Sequence, residues 1–304
     1  MRKKVSCHVI TYNQKDYIAQ CIEGILMQQV DFPIEIIIGD DKSTDGTREI
    51  LLQYAKDFPE IIKLNLREVR GTGIPGKENF VSTLEMCHGE YISLCDGDDY
   101  WTDPLKLQKQ VDFLEKNKDY VLCFHQVKIL QPAGTIVDDF ITVVPENCET
   151  IETLARRGNY IHTPSVVFRN VLNGLPPEFE HAPIGDFFMY MMLAEHGKLH
   201  YLPEPMSVYR YGVGVYTGDS HLRNIKSNLK LFTVLLSYLK DDSIKKIILE
   251  RQLRSITVLE TFLQGEAKVF FFTKNQYARF FKFLKFNYNK PFKIFQKVYQ
   301  KATK

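Results

Sequence analysis

The chain has 304 residues, 44% hydrophobic and 25% charged, enough for one large domain or two small ones, which excludes wholesale disorder and fibrous repeats. A chain this long buries a core without disulfide or metal staples, and no apolar run approaches the ~20 residues of a spanning helix. The net charge of +2 averages two unlike regions: residues 268–304 hold ten Lys or Arg and no Asp or Glu, leaving −8 on the preceding 267 residues.

Val5 to Ile10 reads as a short buried strand. Lys15 to Gln29 has helical apolar spacing through Ile18, Cys21, Ile22 and Ile25. Ile34 to Ile38 is a β-branched run, the mark of a strand covered on both faces, and it ends at Asp40-Asp41. Ser43 and Thr44 offer caps for a helix through about Phe58. Ile61 to Leu66 is the next strand, and Gly71, Gly73, Pro75 and Gly76 mark a loop. Asn79 to Cys87 is helical, and Tyr91 to Cys95 is a strand. Strands alternating with helices imply parallel βαβ units, whose ligands sit beyond the carboxyl ends of the strands.

Pro104 to Lys116 predicts a helix. Tyr120 to Leu130 and Thr135 to Val144 predict strands around a Pro-Ala-Gly turn. A short helix over Thr150 to Arg157, an extended Ser165 to Phe168 and a helix over Ile184 to His196, stopped by Gly197, come next. Leu199 to Leu202 and Met206 to Tyr211 read as two short strands. The glycine-rich Gly212 to Gly218 reads as a flap, and His221 to Gly265 as helices broken near Asp241-Asp242-Ser243. The N-terminus turns polar too soon for a signal peptide. The six Cys form no CxxC pair and have no His at zinc spacing, so a reduced, cytoplasmic protein is expected.

Three strand ends carry the chemistry. Cys95-Asp96-Gly97-Asp98-Asp99-Tyr100-Trp101 puts three carboxylates within four residues of a buried strand, beside the only Trp. Such clustering is self-repelling unless a cation or a turn uses it, and hard Mg²⁺ or Mn²⁺ ions favour carboxylate oxygens while leaving room for phosphates. Asp40-Asp41 can accept hydrogen bonds from a base or ribose, and Thr11-Tyr12-Asn13 supplies an aromatic face with hydroxyl and amide groups. Each is an ordinary turn sequence taken singly.

The blocks VSCHVITYN, IIIGDDKSTDGT and GEYISLCDGDDYW, in that order, resemble glycosyltransferase family 2 over residues 5 to about 110. A weaker likeness, through HTPSVVFR and GDFFMYMMLAEHGKLHYLPEPMSVYR, continues to about residue 212. The resemblance implies an α/β GT-A fold, a Rossmann-like, mostly parallel sheet, and an inverting, sugar-nucleotide-dependent transferase. It would put Thr11, Tyr12 and Asn13 in the nucleotide pocket, with Asp41 and Asp40 on the base or ribose. Asp96 and Asp98 match the DXD signature, with Asp96, Asp98 and Asp99 as candidate ligands of Mn²⁺ or Mg²⁺. Lys77, or Arg70 in its place, would contact the diphosphate. Asp186 is the candidate catalytic base, and its competing reading is a helix N-cap. Members often place a His after Tyr-Arg, where this chain has Tyr211, so a His ligand from that loop is not expected. His221 lies past the glycine-rich stretch, and His162 reads as a pocket or packing residue.

These readings divide the chain into a GT-A domain over 1–216, with nucleotide-binding (1–103) and acceptor-binding (104–216) halves, and a helical region over 217–304. The tail over 268–304 interleaves its basic residues with twelve aromatics. It reads as an amphipathic, basic-aromatic helix for an anionic membrane at the inner face of the plasma membrane, or as aromatics packed on the protein itself. A nucleic-acid partner is not expected of so acidic a body. The expected activity moves a sugar from a nucleoside-diphosphate sugar, UDP-linked, to a hydroxyl of a glycan or lipid-linked acceptor, with metal assistance. The alternatives are a sugar nucleotidyltransferase, whose Gly-rich basic first loop Thr11-Tyr12-Asn13-Gln14 does not match, and a non-catalytic, membrane-docked nucleotide-sugar-binding protein.

Overall fold

The computed structural model describes residues 3–214 and 221–266. The chain divides into two compact units, Met1–Ser255 and Ile256–Lys304, and the sheet and both hydrophobic cores lie in the first.

Four strands, β1 (Val5–Thr11), β2 (Ile34–Asp40), β3 (Ile62–Leu66) and β4 (Tyr91–Asp96), pair in parallel in the order β3-β2-β1-β4. They are joined through α1 (Ile18–Leu26), α2 (Thr47–Asp57) and α3 (Lys77–Glu85). Two cores form on the sheet. One gathers Val5, Cys7 and Val9 with the buried side of α1, and the other gathers Leu94 with most of the helix α6 (Gly185–Ala194). Both faces of β1, β2 and β4 are covered, so Ser6, His8, Glu35 and Ser93, which interrupt their apolar residues, are buried as well.

The sheet continues past β4 through β8 (Val167–Arg169), β6 (Tyr120–Leu130), β9 (Lys198–Arg210) and β5 (Tyr100–Trp101), with β7 (Ile136–Asp138) beside β6. β8 is antiparallel to both β4 and β6, whereas β6 and β9 are parallel. The remaining helices are α4 (Lys106–Lys116), α5 (Ile151–Arg157), α7 (His221–Tyr238) and α8 (Asp242–Glu266).

Some expected boundaries moved, each for a visible reason. α2 begins at Thr47, after Gly46 at φ 105°. The expected caps Ser43 and Thr44 instead hold the loop after β1: Asn13 N–H donates to Ser43 Oγ, and Thr44 N–H to Asn13 Oδ1. The strand expected over Thr135 to Val144 shrinks to Ile136–Asp138 because the Asp139 carboxylate draws in the N–H groups of Ile141 and Thr142. The two strands expected after Gly197 are one, Lys198–Arg210. Its Pro203 and Pro205 fall where the β6–β9 register shifts between His125 and Val127, so no ladder hydrogen bond is lost to them.

Residues 215–220 of the glycine-rich stretch and the whole basic-aromatic tail, 268–304, lie outside the described residues. Among the described residues, no helix is long and apolar enough to cross a membrane, and the six cysteines are free and buried.

Candidate active site

Register builds the site. Thr11 pairs with Asp40 across β1 and β2, and Ile10 with Asp96 across β1 and β4, so three strands end along one line. The turn after β4 is tied to the same edge, since Gly97 N–H donates to Ile10 O and Asp99 N–H to Asp96 O. A Cβ on Gly97 would lie 2.6 Å from Gln14 Oε1 and 2.9 Å from Thr11 Oγ1, so only glycine lets the two turns approach this closely. A cavity of about 920 Å³ opens beyond this edge.

Thr11, Tyr12, Asn13, Asp41, Arg70, Lys77, Asp96, Asp98 and Asp186 all line this cavity. Asp40 and Asp99 do not. Asp40 is fully buried, taking a 2.7 Å hydrogen bond from Arg48 Nε and two from Ser43 N–H, and so anchors the loop after β2. Asp99 accepts from Arg210 N–H through Oδ1, while its Oδ2 is buried with no hydrogen-bond partner. Trp101 is a core residue, with the buried Lys106 ammonium 4.0 Å over its ring.

The nucleotide-side candidates are partly engaged. Asp41 Oδ1 accepts from Gly71 N–H and lies 3.0 Å from Arg67 Nε, an ion pair outside hydrogen-bonding geometry. Asn13 takes a left-handed φ of 51° and is pinned to the β2 loop as described above. The Arg70 guanidinium stacks 3.8 Å over the Tyr12 ring.

The acid turn is electrostatically strained. Burial first, then the charges of Asp98 and Asp186, push the Asp96 carboxyl up to about 8. Burial likewise raises Asp98 against the opposing pull of a Gln14 hydrogen bond and the Arg210 charge. Adjacent carboxylates that resist ionising together fit a hard divalent cation. Among the described residues, no group of three or more His, Cys, Asp or Glu forms a metal cage. Asp96 and Asp98 are the carboxylates of this turn that line the cavity and could hold such an ion.

Asp186, in the same cavity lining, sits in the first turn of α6, whose N-cap is Ile184 rather than Asp186. Its Oδ1 accepts from Phe187 N–H and its Oδ2 from Asn159 Nδ2, each at 2.8 Å. Burial raises the Asp186 carboxyl, and these two hydrogen bonds and the Lys77 charge oppose the rise. Lys77 heads α3 with its ammonium 3.8 Å over the Phe179 ring. Burial pulls it down to about 8, with the Asp186 charge resisting and Lys230 adding to the fall. A Cβ on Gly185 would stand 2.6 Å from Lys77 Nζ, so the glycine preceding Asp186 makes room for the lysine.

His162 lines the cavity and pairs with Asp139 at 3.0 Å. Burial alone would raise Asp139, but hydrogen bonds from His162 and Thr142 hold it at about 2. Tyr211, which follows Tyr209-Arg210 where a His ligand would otherwise stand, is exposed and packs edge-on against Phe140. Sequence reasoning did not find Asn159, Tyr209, or the α7 residues Asn224, Ser227 and Asn228, all of which line the cavity. Only the last three left a signal, as polar residues in line with Leu231 and Leu235 along α7, with Asn224 exposed and Ser227 and Asn228 half-buried.

Residues 6–172 match the family described as Glycosyl transferase family 2. An uncharacterized protein of Mycobacterium tuberculosis is 38% identical over 205 residues, 66% of this chain and 57% of that protein, so the chain spans little more than half its relative's length. Among solved structures, S. aureus TarS 1–349 in complex with UDP has TM-score 0.61 at 19% identity, covering 91% of this chain and 78% of that one. The mannosyltransferase PcManGT of Pyrobaculum calidifontis, in complex with GDP-Man and Mn²⁺, has TM-score 0.60 at 17% identity, covering 98% and 84%. At such identities the likeness is one of fold, and that fold is GT-A.

Proposed function

This chain belongs to glycosyl transferase family 2, and we propose that it is a glycosyltransferase that moves a sugar, with inversion, from a UDP-sugar to a hydroxyl of a glycan or lipid-linked acceptor. The observation that carries this reading is one cavity flanked by a carboxylate turn, Asp96 and Asp98, and by a separately held carboxylate, Asp186. The nucleotide would lie along Thr11, Tyr12, Asn13 and Asp41, with Asp40 holding their loop in shape. The UDP bound to TarS and the GDP-Man with Mn²⁺ bound to PcManGT support a sugar-nucleotide donor.

Asp96 and Asp98 would hold Mn²⁺ or Mg²⁺, which when bound supplies positive charge to the departing diphosphate. Asp99 would steady their turn through Arg210. Lys77 and Arg70 would face the same diphosphate from the other wall.

Inverting transfer is a single displacement. The acceptor oxygen bonds to the anomeric carbon as the bond from that carbon to the diphosphate oxygen breaks. The hydroxyl proton passes to the Asp186 carboxylate. Phe187 N–H and Asn159 fix the plane of that carboxylate before an acceptor arrives and leave it free lone pairs.

Asp186→Asn keeps the shape and removes the base. Transfer by this variant is expected to fall at least ~100-fold, with donor affinity by calorimetry within about twofold of the parent. Unimpaired transfer would remove Asp186 from the mechanism.

A further inference from the structure

The inward stripe of α7 changes character along its length. Leu231 and Leu235 are buried in the core. One to three turns earlier the same stripe carries Asn224, Ser227 and Asn228, which line the cavity instead. At 100° per residue these three occupy an arc of about 100°, and Leu231 and Leu235 fall inside it. The helix therefore presents amides and a hydroxyl where its face meets the cavity, and leucines where it meets the protein.

This polar patch lies at the base end of the site. α7 packs against the 3-10 turn Pro177–His181. Phe179 of that turn carries the Lys77 ammonium, which also abuts Gly185, the neighbour of Asp186. Among the described residues, no hydrogen bond occupies the side chains of Asn224, Ser227 or Asn228, and none of the three is charged. Each amide offers both donors and an acceptor. That chemistry suits the vicinal hydroxyls of a neutral sugar, with the charged Lys77 and Asp186 beside it. A cavity near the upper end of the ~300–1,000 Å³ range of ligand sites leaves space for a second substrate.

We propose that Asn224, Ser227 and Asn228 form the acceptor subsite and bind the hydroxyls of an uncharged sugar residue, presenting one of them to Asp186. This rests on the glycosyl-transfer reading above. It makes α7 a specificity element of the site.

The test uses the full chain with Mn²⁺, a panel of UDP-, GDP- and dTDP-sugars, and four probe acceptors: octyl β-glucoside, octyl β-galactoside, octyl β-N-acetylglucosaminide and octyl β-glucuronide. Donor hydrolysis without acceptor is recorded separately. The parent is expected to use a neutral glycoside in preference to the glucuronide. Asn224→Ala and Asn228→Asp, made singly, are each expected to raise the KM for that glycoside at least tenfold, while the KM for the nucleotide sugar moves less than twofold. Ser227→Ala, the smallest change, keeps the test readable should an asparagine variant not fold. An acceptor KM that does not move, or a donor KM that rises in step with it, overturns the proposal. So does a parent that hydrolyses a donor yet transfers only to the glucuronide, or to none of the four. A parent inert toward every nucleotide sugar would overturn the glycosyl-transfer reading itself.

Discussion

At the scale of single residues, the site depends on groups that set the state of other groups. Asp186 faces a cavity wall that disfavours its charge, and Asn159 is one of two donors that offset this. Removing that donor raises the Asp186 carboxyl further. The base works only when deprotonated, so a higher value costs activity on the acid side and leaves the alkaline side unaffected. Asn159→Ala is therefore expected to move the acidic limb of the kcat/KM profile to higher pH, and to lower kcat roughly 10- to 100-fold through lost orientation. A lower rate with an unshifted limb would mean that Asn159 acts on packing alone. Gly97 and Gly185 act by absence, one letting the β1 and β4 turns meet and the other admitting Lys77.

At the scale of elements, the loops after β1 and β2 behave as one unit. Asn13 is tied to Ser43 and Thr44, and Ser43 is tied to Asp40, which is held by Arg48 from the first turn of α2. Asp40 is wholly buried, so deleting its carboxylate strands the Arg48 guanidinium and the Ser43 N–H at once. Asp40→Ala is expected to destabilise the protein by about 3 kcal/mol, read from urea unfolding, and to weaken nucleotide binding because Tyr12 and Asp41 lose their frame. A change in stability below about 0.5 kcal/mol, the ordinary surface value, would show that the loop holds itself. A sequence shows Asp40-Asp41 as one pair. The fold separates them, because consecutive side chains leaving a strand point in opposite directions.

At the scale of the whole molecule, acid sensitivity is built into the central strand. His8 on β1 is buried, its ring meets Phe80 edge-on at 4.6 Å, and its Nε2 lies 3.1 Å from the Phe80 carbonyl of α3. Burial, against two backbone hydrogen bonds, lowers it from 6.5 to about 4. As pH falls, the unfolded chain takes up this proton before the folded one does. Stability from this group is complete above pH 6.5, drains away between 6.5 and about 4, and changes no further below that. The loss amounts to about 3 kcal/mol. Urea midpoints measured from pH 7 to 4.5 should therefore fall more steeply for the parent than for His8→Asn, and parallel curves would contradict this. The βαβ alternation, the three acidic or polar strand ends and the family likeness were legible in the sequence because they are local: runs of apolar residues, the turns that end them, and short blocks in order. Asp186 was legible only through its family block. The tertiary structure decided what depends on contacts between distant segments. Register put Thr11 and Asp96 along one edge, while Arg48 and Arg210 drew Asp40 and Asp99 out of the cavity lining. Asn159 brought a donor to Asp186 from 27 residues away, and the packing of α7 on the Phe179 turn turned three ordinary polar residues toward the same space. Local patterning fixes which segments become strands and helices, but only closure of the sheet determines which side chains share a cavity.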